Sequence, residues 1–323
     1  IYCPYDIMIR NKKGVTMNHR KRRVPKKIRL LLILNTFLLS CIFILGFLLL
    51  KRGASIPVTE KQETNTRQTV RQTETNTSQS TKQQDTTTKW VKQDQPVKIP
   101  ILMYHAVHTM APSEEANANL IVAPETFESH LKALKEAGYY TLTPEEAYRA
   151  LTKNELPKGG KVVWLTFDDG IADFYTIVYP LLKKYQMTAT NNIITSFSDE
   201  ERPSVLTFDQ IKEMKAQGMT FESHTVSHPD LARSDSSRQE SELATSKQVL
   251  DKKLHQTTTT IVYPSGRYSD LTMEIAENNG YKMGLTTNNG LASLDDGLYS
   301  LKRLRILPTT TAEDLLTEMQ TNP

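Results

Sequence analysis

The stretch WLTFDDG, Trp164 to Gly170, decides how this chain is read. The run KVVWLTF that ends at Phe167 has the β-branched and aromatic content of a strand buried on both faces. It passes directly into two adjacent carboxylates and a glycine. Like charges side by side repel, so the pair calls for a division of labour: one acid on a cation, the other left as a base. Alone, Asp-Asp-Gly is also an ordinary turn sequence, and only its surroundings separate the two readings.

Outward from that stretch, strand and helix patterns alternate about seven times across residues 98–323. KIPILMYHAV, KVVWLTF, ATNNIIT, MTFESH, TTTIVYPSG, YKMGLTT and LKRLRIL read as strands. Between and after them, PETFESHLKALKEAG, FYTIVYPLLKKYQ, TFDQIKEMKAQG, the segment 234–255, DLTMEIAENNG and TAEDLLTEM read as helices. Such alternation implies parallel strands with helical crossovers, an α/β fold of (β/α) barrel type rather than a short open sheet. In barrels of this kind the chemistry sits at the carboxyl ends of the strands.

Upstream the composition changes twice. Residues 1–29 form a basic N-terminus that contains NHRKRRVPKKIR. The uncharged segment Leu30–Leu50 is long enough, at about 1.5 Å per residue, to cross a bilayer. Its basic flank predicts a cytoplasmic N-terminus and an extracellular C-terminal domain, held as a single-pass anchor in the plasma membrane. The apolar run is longer than the core of a cleaved signal peptide. Met17 is a candidate start within the basic segment. Residues 51–97, rich in Thr, Gln, Ser and Asn, read as a disordered linker that carries the domain away from the membrane. The two cysteines, Cys3 and Cys41, precede that linker, so no disulfide framework is expected beyond it. The net charge of +4 implies no nucleic-acid partner, and the domain is expected to act as a monomer.

Chemistry-bearing residues fall at the predicted strand ends: His105 after ILMY, Asp168 and Asp169 after WLTF, His224 and His228 in HTVSH, Ser265 and Gly266 after IVYP. The His-x-x-x-His spacing suggests two imidazoles on one face of a helical turn. With a carboxylate from another strand they make a three-ligand set with open positions, the layout of a catalytic metal site. Imidazole plus carboxylate suits Zn²⁺, with Co, Ni or Mn as alternatives. Neighbouring strand residues face opposite sides, so Asp168 and Asp169 are poorly placed to flank a glycosidic bond as a glycosidase pair.

TFDDG (Thr166–Gly170) together with SHTVSH (Ser223–His228) resembles the polysaccharide deacetylases, carbohydrate esterase family 4. ILMYHAV (Ile101–Val107) and YPSG (Tyr263–Gly266) are similar to motifs of its membrane-anchored branch. The resemblance spans about residues 98 to 320. It implies a distorted (β/α)7 barrel that hydrolyses acetyl groups on a glycan polymer, with peptidoglycan and poly-N-acetylglucosamine as the expected substrates. By position it implies Asp169, His224 and His228 as metal ligands and Asp168 as the base. The turn Tyr263, Pro264, Ser265, Gly266 would supply substrate or oxyanion contacts.

The chain departs from the family pattern twice. Where many members carry an arginine that holds the base, this chain has Val262, and Arg303 or Arg305 on LKRLRIL is the expected replacement. No histidine follows His255, so His105 replaces the late general-acid histidine. These departures leave a degenerate glycan-binding module without turnover as the competing class. An iron oxygenase with two histidines and one carboxylate is the third, disfavoured by the second aspartate.

Overall fold

The computed structural model of the protein describes residues 88–320. The basic N-terminus, the anchor at Leu30–Leu50 and most of the linker lie outside the described residues. Among the described residues no helix is long and apolar enough to cross a membrane.

Seven strands form the centre: β1 (Ile101–Tyr104), β2 (Val162–Phe167), β3 (Thr190–Ile193), β4 (Thr220–Ser223), β5 (Thr260–Val262), β6 (Met283–Asn289) and β7 (Leu301–Arg305). They are ordered β1-β7-β6-β5-β4-β3-β2, and β1 pairs with β2 to close the sheet. Every pairing in the ring is parallel. The result is a distorted seven-stranded parallel α/β barrel. Its distortions are local: β4 and β5 meet in register only at Ile261↔Ser223, and the register of β6 against β7 shifts between Leu285 and Asn289.

Alternate residues of each strand divide between two cores. Val163, Leu165 and Phe167 of β2 pack outward with Phe127 and Leu131 of the helix Pro124–Glu136 and with Phe174. Phe167 stacks on Tyr104 at 5.0 Å and meets Phe174 edge-on at 5.0 Å. Trp164, between them, joins Ile101, Val262, Leu285 and Leu301 in the barrel interior. Its indole N–H donates to Thr190 Oγ1 at 2.7 Å, and that hydroxyl meets Thr220 Oγ1 at 2.7 Å. His130 belongs to the outer core: it lies between the Tyr104 hydroxyl at 2.9 Å and the Thr310 carbonyl at 2.8 Å. It takes no part in the rim.

Two elements extend the sequence reading. The helix Pro144–Lys153 starts on a capping box in which Thr143 and Glu146 exchange hydrogen bonds, with proline at its first position. Trp90–Lys92, inside the stretch read as linker, is a strand paired antiparallel with Glu155–Pro157. Its Trp90 ring lies 4.5 Å under the Arg149 guanidinium, so one aromatic residue is enough to dock the end of that polar segment.

Where β4 and β5 diverge, a side chain takes over from the missing ladder. Glu222 Oε2 accepts from the Thr259 and Thr260 amides at 2.9 and 2.7 Å. Burial pushes this carboxyl from an ordinary 4.5 up to about 8, against the pull of those two amides. A raised folded pKa on an acid means stability that is complete below the unfolded value and is lost as pH rises through the folded one. The wild type therefore loses stability between pH 4.5 and about 8 from this group. Glu222→Gln keeps an acceptor for both amides and removes the titration. Its melting temperature, measured against wild type, should gain steadily from pH 5 to pH 8; a constant difference across that range would disprove the assignment.

Candidate active site

The strand carboxyl ends converge on one cleft, bounded by His105, Asp168, Asp169, His224 and His228, with Leu120, Tyr263, Ser265, Thr287 and Arg305 on its rim. Asp168 is the first residue after β2, and its amide still donates to the Tyr104 carbonyl at 3.0 Å. The β1–β2 ladder thus fixes its backbone. Its carboxylate meets the Arg303 guanidinium end-on: Nη1 to Oδ1 at 2.9 Å and Nη2 to Oδ2 at 2.8 Å. Asn192 of β3 donates a further bond to Oδ1 at 2.8 Å. Arg303 is completely buried, and its remaining donors reach the Thr286 carbonyl at 2.8 Å and Thr166 Oγ1 at 3.2 Å. Burial opposes ionisation of Asp168, but the Arg303 charge and hydrogen bonds outweigh it and hold the carboxyl well below the usual range. Asp168 is therefore a fixed carboxylate at any physiological pH.

Asp169 turns the other way. Its φ is +76° and that of Gly170 is +69°, two successive left-handed residues that reverse the chain and swing the second carboxylate away from the first. Asp169 Oδ1 lies 3.4 Å from His224 Nε2 and 3.7 Å from His228 Nε2, and among the described residues it is buried with no hydrogen-bond donor. His224 Nδ1 donates to the Val262 carbonyl at 2.7 Å, which turns Nε2 toward the aspartate; burial opposes protonation of the ring, but Asp169 and Asp168 outweigh it and raise its pKa. Burial, then the neighbouring His224, pushes the His228 imidazole down to about 4, so the His228 ring is neutral and able to ligate. One ligand atom from each of the three lies within 4.8 Å of the others. An orphaned buried oxygen faced by the Nε2 atoms of two imidazoles fits a divalent cation, which would displace any proton on them.

The histidine pair does not sit on a helical turn, as its spacing suggested. Residues 224–228 form a bent loop in which Thr225 has φ +69° and His228 φ +60°. Left-handed backbone at a β-branched residue is strained and persists only where the surroundings impose it. Here Glu242, on the helix Ser236–Leu254, accepts from the Val226 and Ser227 amides at 3.0 and 2.8 Å and from the Ser227 hydroxyl at 2.5 Å. Thr225 Oγ1 accepts from the His228 amide at 3.0 Å. The loop brings the two rings edge to face at 4.9 Å.

His105, half-buried after β1, places Nε2 3.9 Å from Asp168 Oδ2. Burial pulls its imidazole below the ordinary value, the nearby aspartates acting against that. The YPSG turn needs correction in part. The Tyr263 amide donates to the Leu285 carbonyl and the Gly266 amide to the Tyr263 carbonyl, while Pro264 has no N–H. The Tyr263 hydroxyl donates to the Tyr299 carbonyl at 2.9 Å, and its ring stacks on Tyr268 at 4.7 Å. The amides of Pro264 and Gly266 offer no free donor and build the turn; Tyr263, its hydroxyl and amide engaged, and Ser265, at φ +54°, stand on the cleft wall. Gly266 is required there, because a β-carbon would fall 2.0 Å from Thr287 Oγ1. Val262 contributes only its carbonyl, and its side chain belongs to the apolar interior.

Sequence reasoning missed Asn192 and Glu242. A signal existed for the first: NN in ATNNIIT puts amides in a strand that is buried throughout. Glu242 carries none, being one acid on a polar-faced helix.

Such a rim, a carboxylate locked by a buried arginine beside an Asp/His/His trio that could hold a metal ion, is the kind of site a hydrolase uses. The comparisons with known proteins narrow the class. A family model described as polysaccharide deacetylase matches residues 155–284. The chain is 44% identical over 219 residues to YxkH of Bacillus subtilis (strain 168), spanning 68% of this chain and 75% of that one. It is 30% identical over 200 residues to the poly-beta-1,6-N-acetyl-D-glucosamine N-deacetylase of Staphylococcus aureus (strain MRSA252), spanning 58% and 68%. Among solved structures, the Streptococcus pyogenes deacetylase PplD in complex with acetate superposes with a TM-score of 0.68 at 55% identity, over 70% of this chain and 100% of that one. The chain belongs to the polysaccharide deacetylase family and is a deacetylase hydrolase.

The buried Asp168–Arg303 pair gives a quantitative expectation. Arg303→Met and Asp168→Asn each leave one buried charge unpaired and should lower unfolding free energy by roughly 3–5 kcal/mol. The double variant should be less destabilised than the sum of the singles by at least about 1 kcal/mol, as contacting groups are. Strict additivity in denaturant unfolding would mean the contact carries no coupling.

Proposed function

We propose that the protein removes N-acetyl groups from a cell-surface polysaccharide that contains N-acetylglucosamine, either peptidoglycan or poly-N-acetylglucosamine. The observation that carries this reading is the separation of the twin acids: Asp168 locked by Arg303, Asp169 turned to two imidazoles. The named activity of the Staphylococcus aureus relative supports an N-acetylated glycan.

Asp169, His224 and His228 would hold a divalent cation, Zn²⁺ by the chemistry of the donor set, with Co, Ni or Mn as alternatives. When bound, the cation supplies Lewis acidity toward the acetamide carbonyl and toward water. Asp168 takes the proton from the attacking water. Its low basicity is a consequence of Arg303, which in exchange keeps the carboxylate in one orientation toward the cleft. His105, at the end of the neighbouring strand and 3.9 Å from that carboxylate, relays the proton that Asp168 took from the water to the departing amine. Ser265 faces the carbonyl oxygen from the turn. The reading of the chain as a binding module without turnover loses one of its two motives, since Arg303 reaches the base from β7 where Val262 offers no charge; the other, the missing late histidine, rests on His105.

The domain works as a monomer outside the cell, carried by the Leu30–Leu50 anchor in the plasma membrane; the uncharged length of that segment and its basic flank support this. Purified protein should release acetate from an N-acetylglucosamine oligomer, stop on treatment with a chelator, and recover when Zn²⁺ or Co²⁺ is returned. Asp168→Asn should keep one metal per chain yet lose roughly 10²–10⁴-fold in turnover. Acetate release that is indifferent to chelation would sink the proposal.

A further inference from the structure

Arg305 is the residue that the site leaves unexplained. Seven arginines fall among the described residues. Six of them, Arg149, Arg202, Arg233, Arg238, Arg267 and Arg303, each have a carboxylate within 4 Å. Arg305 is half-buried on the wall of the catalytic cleft and, among the described residues, makes no side-chain hydrogen bond and no ion pair. The nearest acid of the site is not available to it: Asp168 is engaged on both oxygens by Arg303 and by Asn192. A guanidinium taken partly out of water without a partner is a cost that folding alone does not explain.

Its placement is specific. Arg303 and Arg305 lie two residues apart on β7 and share a strand face, so Arg305 stands roughly 6–7 Å nearer the mouth of the cleft than the arginine that holds the base. β7 is no edge strand; it is paired with β6 and β1, and Arg305 is in register with Met103. An anion held there would lie about one sugar ring from the acetamide presented to Asp168. Arginine offers a planar fork that suits carboxylate and phosphate.

We propose that Arg305 is a substrate-recognition residue that binds an anionic substituent, a carboxylate or a phosphate, carried on or next to the sugar whose acetamide is cleaved. The inference rests on the deacetylase reading and narrows its substrate to a charged glycan. It favours a polymer with acidic groups over a neutral homopolymer of N-acetylglucosamine.

The test uses the full-length protein, Zn²⁺-loaded, with three probes: a neutral N-acetylglucosamine tetramer, a tetramer in which N-acetylglucosamine alternates with N-acetylmuramic acid, and N-acetylglucosamine 1-phosphate. Acetate release and equilibrium binding are both measured for wild type, Arg305→Gln and Arg305→Lys. Wild type should favour at least one charged probe over the neutral one by about 10-fold or more, through KM and dissociation constant, with the preference falling as salt is raised. Arg305→Gln should bring the charged-to-neutral ratio down to about one, and Arg305→Lys should restore part of it. The arm that responds tells carboxylate from phosphate. A wild-type ratio near one, or a ratio that Arg305→Gln leaves unchanged, overturns the proposal. Arg305-dependent binding of a charged probe without acetate from any of the three would instead count against the deacetylase reading and leave this one standing.

Discussion

The site depends on one contact, the end-on meeting of Arg303 with Asp168 inside the barrel. Two neighbouring carboxylates can both stay ionised only if each has its own counter-charge. Arg303 supplies it for the first, from a strand on the far side of β1, with no exposure to solvent. Asp169 is then left to the histidines. Remove the guanidinium and the repulsion returns, the base is no longer oriented, and a buried anion stands alone.

Barrel geometry makes that contact possible. Closure of β1 onto β2 brings β7 within reach of the β2 terminus, although Arg303 and Asp168 are 135 residues apart in the chain. The rim residues themselves are held in left-handed conformations at Asp169, Thr225 and His228, the loop that carries the last two being pinned by hydrogen bonds to Glu242 and Thr225. Strain of this sort is compatible with a stable fold because it sits on strand ends rather than inside strands. The same closure leaves Arg305 one step further out, where the cleft opens.

Much of this was legible in the sequence because local pattern and global fold agree. The seven strands followed from apolar or β-rich runs, four of which stop at acids, histidines or the Pro-Ser-Gly turn, and the acid and histidine positions of the rim followed from those stops. What stayed hidden was long-range or geometric. Spacing offered Arg303 and Arg305 together, and only the depth along β7 separates the buried one on the base from the one at the mouth. His224 and His228 suggested a helical turn because four residues is a helical interval, yet Glu242 pins them in a loop from another element. Glu222 looked like an unremarkable strand residue, because the gap it fills arises from the divergence of β4 and β5 and not from anything near it in the chain.

The most direct test of the central claim is an anomalous-scattering map from crystals of the protein soaked in Zn²⁺. The account predicts a single strong site at about 2.0–2.2 Å from His224 Nε2, His228 Nε2 and one Asp169 oxygen, with Asp168 still clasped by Arg303 and not ligating. A metal bridged by both aspartates, or one seated away from this trio with the Asp168–Arg303 contact broken, would contradict it.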